Sequence, residues 1–124
     1  MKSNTLLLIA GIASGFYAII LLALPSFFAE IHGITTDGYG LLFIRSTGAL
    51  CVGYAVLGFA GAKIKNDDGL KLALHANLGG WLTMFCVMLF AKFTLQFSSF
   101  IYLDLGFCAL FSILFGFKSF AKQK

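Results

Sequence analysis

Four long stretches that carry almost no charge constrain this chain more than any other feature. Residues 5–24 hold no charged side chain, 39–62 hold only Arg45, 70–91 hold only Lys71 at the edge, and 97–117 hold only Asp104. A helix rises about 1.5 Å per residue, so about 20 apolar residues cover the roughly 30 Å of a bilayer's hydrocarbon layer. The pattern predicts an all-α integral membrane fold with four transmembrane helices at these positions, within a single domain over residues 1–124. Short connections make neighbouring helices antiparallel, so the expected architecture is an up-down four-helix bundle.

Composition agrees. The chain is 60% apolar and 11% charged, where a soluble domain is about half apolar and a quarter charged. Fifteen phenylalanines in 124 residues exceed what so small a core can hide, and membrane lipid is the expected partner of the remainder. The net charge of +4 does not point to nucleic acid, because the lysines cluster at span ends and no soluble basic face exists to carry them. Lys2, Lys63, Lys65, Lys71, Lys118, Lys122 and Lys124 fall on one side of the predicted bundle, and only Lys92 and Arg45 on the other. By the positive-inside bias this places the protein in the cell membrane, with both termini and the 63–69 turn in the cytoplasm. Lys2 and the leucines after it resemble a signal peptide, but the apolar block is too long and lacks a small-x-small site, so it is expected to remain as the first span.

The connections carry their own signals. Pro25 ends the first span, since proline cannot continue a helical hydrogen-bond ladder without cost. Phe27, Phe28 and Ile31 have the spacing of a short interfacial helix. AKIKNDDG, residues 62–69, has helix-to-helix turn chemistry. Small residues give each span a flat strip for close packing: Gly11 with Gly15, Ala49 with Gly53, Gly58 with Ala62, Ala76 with Gly80, and Ser112 with Gly116. A strip left over would serve a homo-oligomer.

Few polar residues lie within the spans. Arg45 and Asp104 are each about six residues, roughly 9 Å, inside spans that enter from the same side. An unpaired charge at that depth costs at least a few kcal/mol, so an Arg45–Asp104 ion pair is expected. Glu30 is the runner-up partner for Arg45, and snorkelling to the headgroups is a third solution. Asp104, Cys108, Ser112 and Gly116 recur every four residues, a stripe that lines a groove or packs. His75 and Asn77 lie near the cytoplasmic side and read as interfacial polar residues. His32, with Glu30 and Asp37, matches no strong metal-ligand spacing and reads as a solvated loop residue. The cysteines form no C-x-x-C pair. Trp81, Tyr54, Tyr39 and Tyr102 read as anchors. No phosphate loop, metalloprotease motif or haem ligand pair is present, so no cofactor and no enzymatic activity is expected.

The proline closing the first span (LALPSFF), and Arg45 followed by Gly48, Gly53 and Gly58 in the second, resemble the small four-span bacterial membrane proteins related to the DoxX group. That resemblance implies the four-span layout. Some members of the wider group are linked to thiosulfate oxidation and quinone reduction, but no redox motif matches residue by residue. The function expected first is a structural or accessory membrane component, alone or within a larger membrane complex, clamped by the ion pair. The alternatives are a binder or conductor of a small ion or solute through an outward-facing cavity near Arg45 and Asp104, and a quinone-linked redox subunit. The last requires an aromatic-lined slot with a hydrogen-bonding group.

Overall fold

The computed structural model describes residues 1–94 and 98–120. Among the described residues the chain forms five helices and no strand: α1 (Ser3–Ala23), α2 (Pro25–Ile31), α3 (Gly38–Gly61), α4 (Asp67–Thr94) and α5 (Ile101–Phe120). α1, α3, α4 and α5 are long and apolar enough to cross a membrane. They match the four predicted blocks within a few residues, although α4 runs three residues past 91, to Thr94. The sequence places the third connection at 92–96 and the start of the fourth block at 97; residues 95–97 lie outside the described residues.

Local chemistry sets the helix ends. Pro25 occupies the first turn of α2, where its missing N–H would have had no partner in any case. Gly33 follows with φ 68°, the left-handed conformation that glycine adopts without penalty. Its N–H bonds to the Glu30 carbonyl at 3.0 Å, and the Ile34 N–H reaches back to the Ala29 carbonyl at 2.8 Å. This paired closure ends the helix and satisfies its last carbonyls. The Asp37 side chain accepts from the Gly40 N–H at 2.9 Å and caps α3. Asn66 does the same for α4 through the Gly69 N–H at 2.6 Å, and Asp67 and Asp68 place negative charge in the first turn, where the helix dipole favours it.

The helices group in two pairs, α1 with α3 and α4 with α5, and contact between the pairs is sparser. α1 and α3 meet at backbone distance. A Cβ built on Gly58 would lie 2.6 Å from Gly11 Cα and 2.7 Å from the Leu7 carbonyl oxygen, and one built on Gly48 would lie 2.9 Å from Leu21 Cβ. Asn4 donates to the carbonyls of Ala62 at 2.8 Å and Ile64 at 3.0 Å, so α1 caps the end of α3. Positions rise along α1 as they fall along α3. Gly11 and Gly58 thus use the expected small-residue strips, whereas Ala49 and Gly53 are exposed and Gly53 has nothing nearby.

The packed core lies at the end that carries the N-terminus. Leu6, Leu7 and Ala10 of α1 meet Leu70, Ala73 and Leu74 of α4 and Phe111 and Phe115 of α5. Trp81 stacks on Phe111 with ring centres 4.5 Å apart. α3 and α5 make no close backbone approach and stand diagonally. Large apolar side chains such as Phe16, Ile19, Phe43, Leu50, Phe90 and Phe117 are exposed.

The glycine contact predicts a contrast measurable by thermal unfolding in detergent. Gly58→Ala forces two backbones apart and is expected to cost about 1–3 kcal/mol. Gly53→Ala meets nothing and is expected to be neutral or to stabilise by up to about 1 kcal/mol through helix propensity.

Candidate functional site

Away from the core the two helix pairs part around a cavity of about 290 Å³. Each helix offers one stripe to it: Ser14, Tyr17 and Leu21 from α1, Ile44, Thr47, Cys51 and Tyr54 from α3, Trp81, Met84, Val87 and Met88 from α4, and Ile101, Asp104, Phe107 and Cys108 from α5. These spacings of three and four residues each keep to one helical face. Phe28 of α2 and His32 just after it close the end away from the packed core.

Three polar side chains meet at that end. Asp104 and His32 are each only 4% exposed, and His32 Nε2 lies 2.7 Å from Asp104 Oδ2. The Tyr17 hydroxyl donates to Asp104 Oδ1. His32 Nδ1–H donates to the Phe28 carbonyl at 2.9 Å. A carbonyl can only accept, so Nδ1 carries a proton. The Nε2···Oδ2 link then holds one proton between imidazole and carboxylate, and the pair is neutral as a whole. Both ring nitrogens are engaged, so neither is offered to the cavity as a base.

The main chain fixes this cluster in place. The Ser98 N–H donates to the His32 carbonyl at 2.9 Å, and its hydroxyl donates to the Ile31 carbonyl at 2.5 Å. The His32 ring stacks on Phe28 with centres 4.1 Å apart. Burial lowers the His32 pKa, but the bond to Asp104, the bond to Phe28 and attraction to the carboxylate outweigh it and raise the value above the usual 6.5.

This arrangement corrects the expected ion pair. Arg45 is exposed and forms no salt bridge with Asp104, whose ionic partner is His32. The reason is helical phase. Successive residues turn by about 100°, so Arg45 lies about 100° from Ile44 and about 160° from Thr47, off the stripe that faces the cavity. Glu30 is also exposed and is no substitute partner, since among the described residues the sole salt bridge is His32–Asp104. His32 is likewise not a solvated loop residue but a buried one. Among the described residues no cluster of His, Cys, Asp and Glu could hold a metal ion.

The other polar residues stand apart. His75 is exposed, donates to the Lys71 carbonyl at 2.8 Å and meets Phe120 edge-on. Asn77 is buried, returns a bond to the Ala73 carbonyl at 3.0 Å and leaves its side-chain oxygen without a partner. The α5 stripe divides: Asp104 and Cys108 face the cavity, while Ser112 donates to the Cys108 carbonyl at 2.7 Å and Gly116 packs against Leu78. Trp81 and Tyr54 are cavity walls rather than anchors. Tyr17 is the residue missed from sequence, and His32 was weighed there but placed in water. The available signal was that Tyr17 is the one phenol in the first span, with a histidine just beyond it on the side where Asp104 enters.

A helical bundle with four membrane-capable helices around a mainly apolar cavity, sealed by a buried polar cluster, defines the class of protein. The chain belongs to the family described as Domain of unknown function (DUF8292), whose model matches residues 1–120. No curated protein and no solved structure matches the chain.

Two outcomes follow. Asp104→Ala strands a buried imidazole and is expected to cost about 3–5 kcal/mol, while Arg45→Ala on an exposed face is expected to stay within about 0.5 kcal/mol, both read as unfolding in detergent. Because the folded His32 pKa is raised, the stability it contributes is complete below pH 6.5 and is lost as pH rises through the folded value. A thermal-unfolding series against pH should show that alkaline decline, and His32→Gln should flatten it.

Proposed function

We propose that this is a non-enzymatic integral membrane protein, an antiparallel up-down bundle of four spans, that binds a small, neutral, largely apolar molecule in its central cavity. The single observation that carries the binding reading is the character of that cavity. Its size is at the small end of ligand sites, which run from about 300 to 1,000 Å³, and its walls include Leu21, Trp81, Met84, Met88 and Phe107. The nearby charges neutralise each other and turn their polar atoms inward, so the cavity has no net charge with which to hold an ion. Tyr54 supplies a hydroxyl against Gly80, the natural donor for one oxygen on an otherwise apolar ligand. Clustering of lysines at the packed end supports a cytoplasmic location for both termini and the 63–69 turn.

The accessory role expected first relied on Arg45, which does not form the clamp. His32 and Asp104 make a clamp of different composition, and it coexists with ligand binding. A quinone-linked role is the second reading, favoured by one observation: Trp81, Tyr54 and Phe107 form the aromatic-lined slot that such a role requires, with the Tyr54 hydroxyl beside it. Kinship with the DoxX group is proposed on the same footing, from Pro25 and the glycines of α3.

Trp81 is the only tryptophan and lines the cavity, so its fluorescence reports occupancy. Titration of the purified protein with a short-chain ubiquinone and with a plain hydrocarbon of similar size should give saturable changes. Tyr54→Phe should weaken the quinone by roughly threefold to tenfold, the value of one hydrogen bond, and leave the hydrocarbon unchanged. Absence of saturation with either compound refutes the binding reading.

A further inference from the structure

Among the described residues, the cavity is closed at both ends and along two of its flanks. At the packed end, Trp81 stacks over Phe111 and the Leu6, Leu7, Leu74 and Phe115 core. At the other end, α2 is held by the His32–Asp104 link and by Ser98. The α1–α3 flank is sealed at backbone contact by glycines and the α4–α5 flank by extensive packing; the α1–α5 flank, with little backbone contact, is crossed by the Tyr17–Asp104 hydrogen bond and lined by the Phe107 ring.

The flank between α3 and α4 differs. The helices touch where the turn joins them, with Gly61 against Ala73 and the Tyr54 ring against Gly80. Beyond Tyr54, Thr47 and Cys51 of α3 and Met84, Val87 and Met88 of α4 border the same void instead of packing together. Val87 lines the cavity and is nevertheless 56% exposed, which places it at a rim. The residues outside that rim, Phe43, Leu50 and Phe90, are exposed and apolar. Arg45 lies round the far side of α3, so no fixed cation waits there for a phosphate headgroup.

We infer that the gap between α3 and α4 is a lateral opening through which a neutral, membrane-dissolved molecule, rather than a phospholipid chain or a water-borne solute, reaches the cavity from the bilayer. This rests on the proposed membrane insertion and cavity binding. It adds the route and the phase from which the ligand comes. The rim residues Thr47, Cys51, Met84, Val87 and Met88 carry no charge, so a charged solute gains nothing on the way in. A free hydrophobe already dissolved in the bilayer reaches the gap without leaving an apolar phase.

The test uses Trp81 fluorescence in phosphatidylcholine vesicles. 1-Bromohexane, a neutral heavy-atom quencher that partitions into the bilayer, should quench Trp81 saturably, while aqueous acrylamide should quench weakly. Val87→Phe narrows the rim. It should slow both onset and reversal of quenching by about tenfold, as expected when binding must await an opening motion. Val56→Phe, on an exposed position of the same bundle that does not line the cavity, should leave the rates unchanged. Saturable quenching with rates untouched by Val87→Phe would overturn the lateral route alone, and so would acrylamide quenching as efficient as that by bromohexane. Equal quenching by vesicles of brominated-chain phosphatidylcholine would overturn the choice of a free hydrophobe over a lipid chain. No saturable quenching of the unmodified protein would remove the binding reading beneath both.

Discussion

Burying Asp104 is the problem around which this molecule is arranged. A carboxylate away from water needs both a compensating charge or proton and partners for its oxygens. His32 meets one oxygen and Tyr17 the other, so three segments distant in sequence are drawn to a single point. The requirement extends outward. His32 can serve only if its ring is aimed, which the Phe28 carbonyl and Phe28 ring accomplish. Phe28 in turn depends on α2, which begins at Pro25 and closes at Gly33. A short helix between two long ones thus has a definite task, to deliver one imidazole to one carboxylate.

The cluster also explains why the cavity beside it is mild in character. Polar groups that satisfy one another leave little for a guest to bond, and the remaining wall is carbon, sulfur and aromatic ring. An Arg45–Asp104 pair would have set a guanidinium with five donors in the same space, which suits an anion. The observed arrangement suits an uncharged guest.

The architecture was largely legible in the sequence because length and apolarity decide it. The four blocks, the helix after Pro25 and the 62–69 turn each follow from residues read locally. The Gly11–Gly58 contact was legible as two strips, though not as a pair, because spacing identifies a flat face without saying what lies against it. The site was legible only in half. Asp104 stood out as an expensive buried charge, and its depth pointed to the correct end of the bundle. Arg45 was chosen as its partner on depth alone, and depth says nothing about direction round the helix axis. His32 was passed over because a histidine in a connection is ordinarily wet, and only the tertiary fold of α2 makes it dry. Exposed Arg45 on an apolar helix remains a feature of α3 that the cluster does not use.

The glycine-to-glycine approach of α1 and α3 has a mechanical consequence. Two backbones in contact behave as one stiff panel, since sliding either past the other drives main-chain atoms together. α4 and α5, tightly packed and tied by stacked rings, make a second panel. Between the panels lie a covalent turn and the packed core at one extremity and a proton-sharing latch at the other. Deformation therefore concentrates in a single soft coordinate, the tilt of one panel against the other, with the latch as its restoring spring.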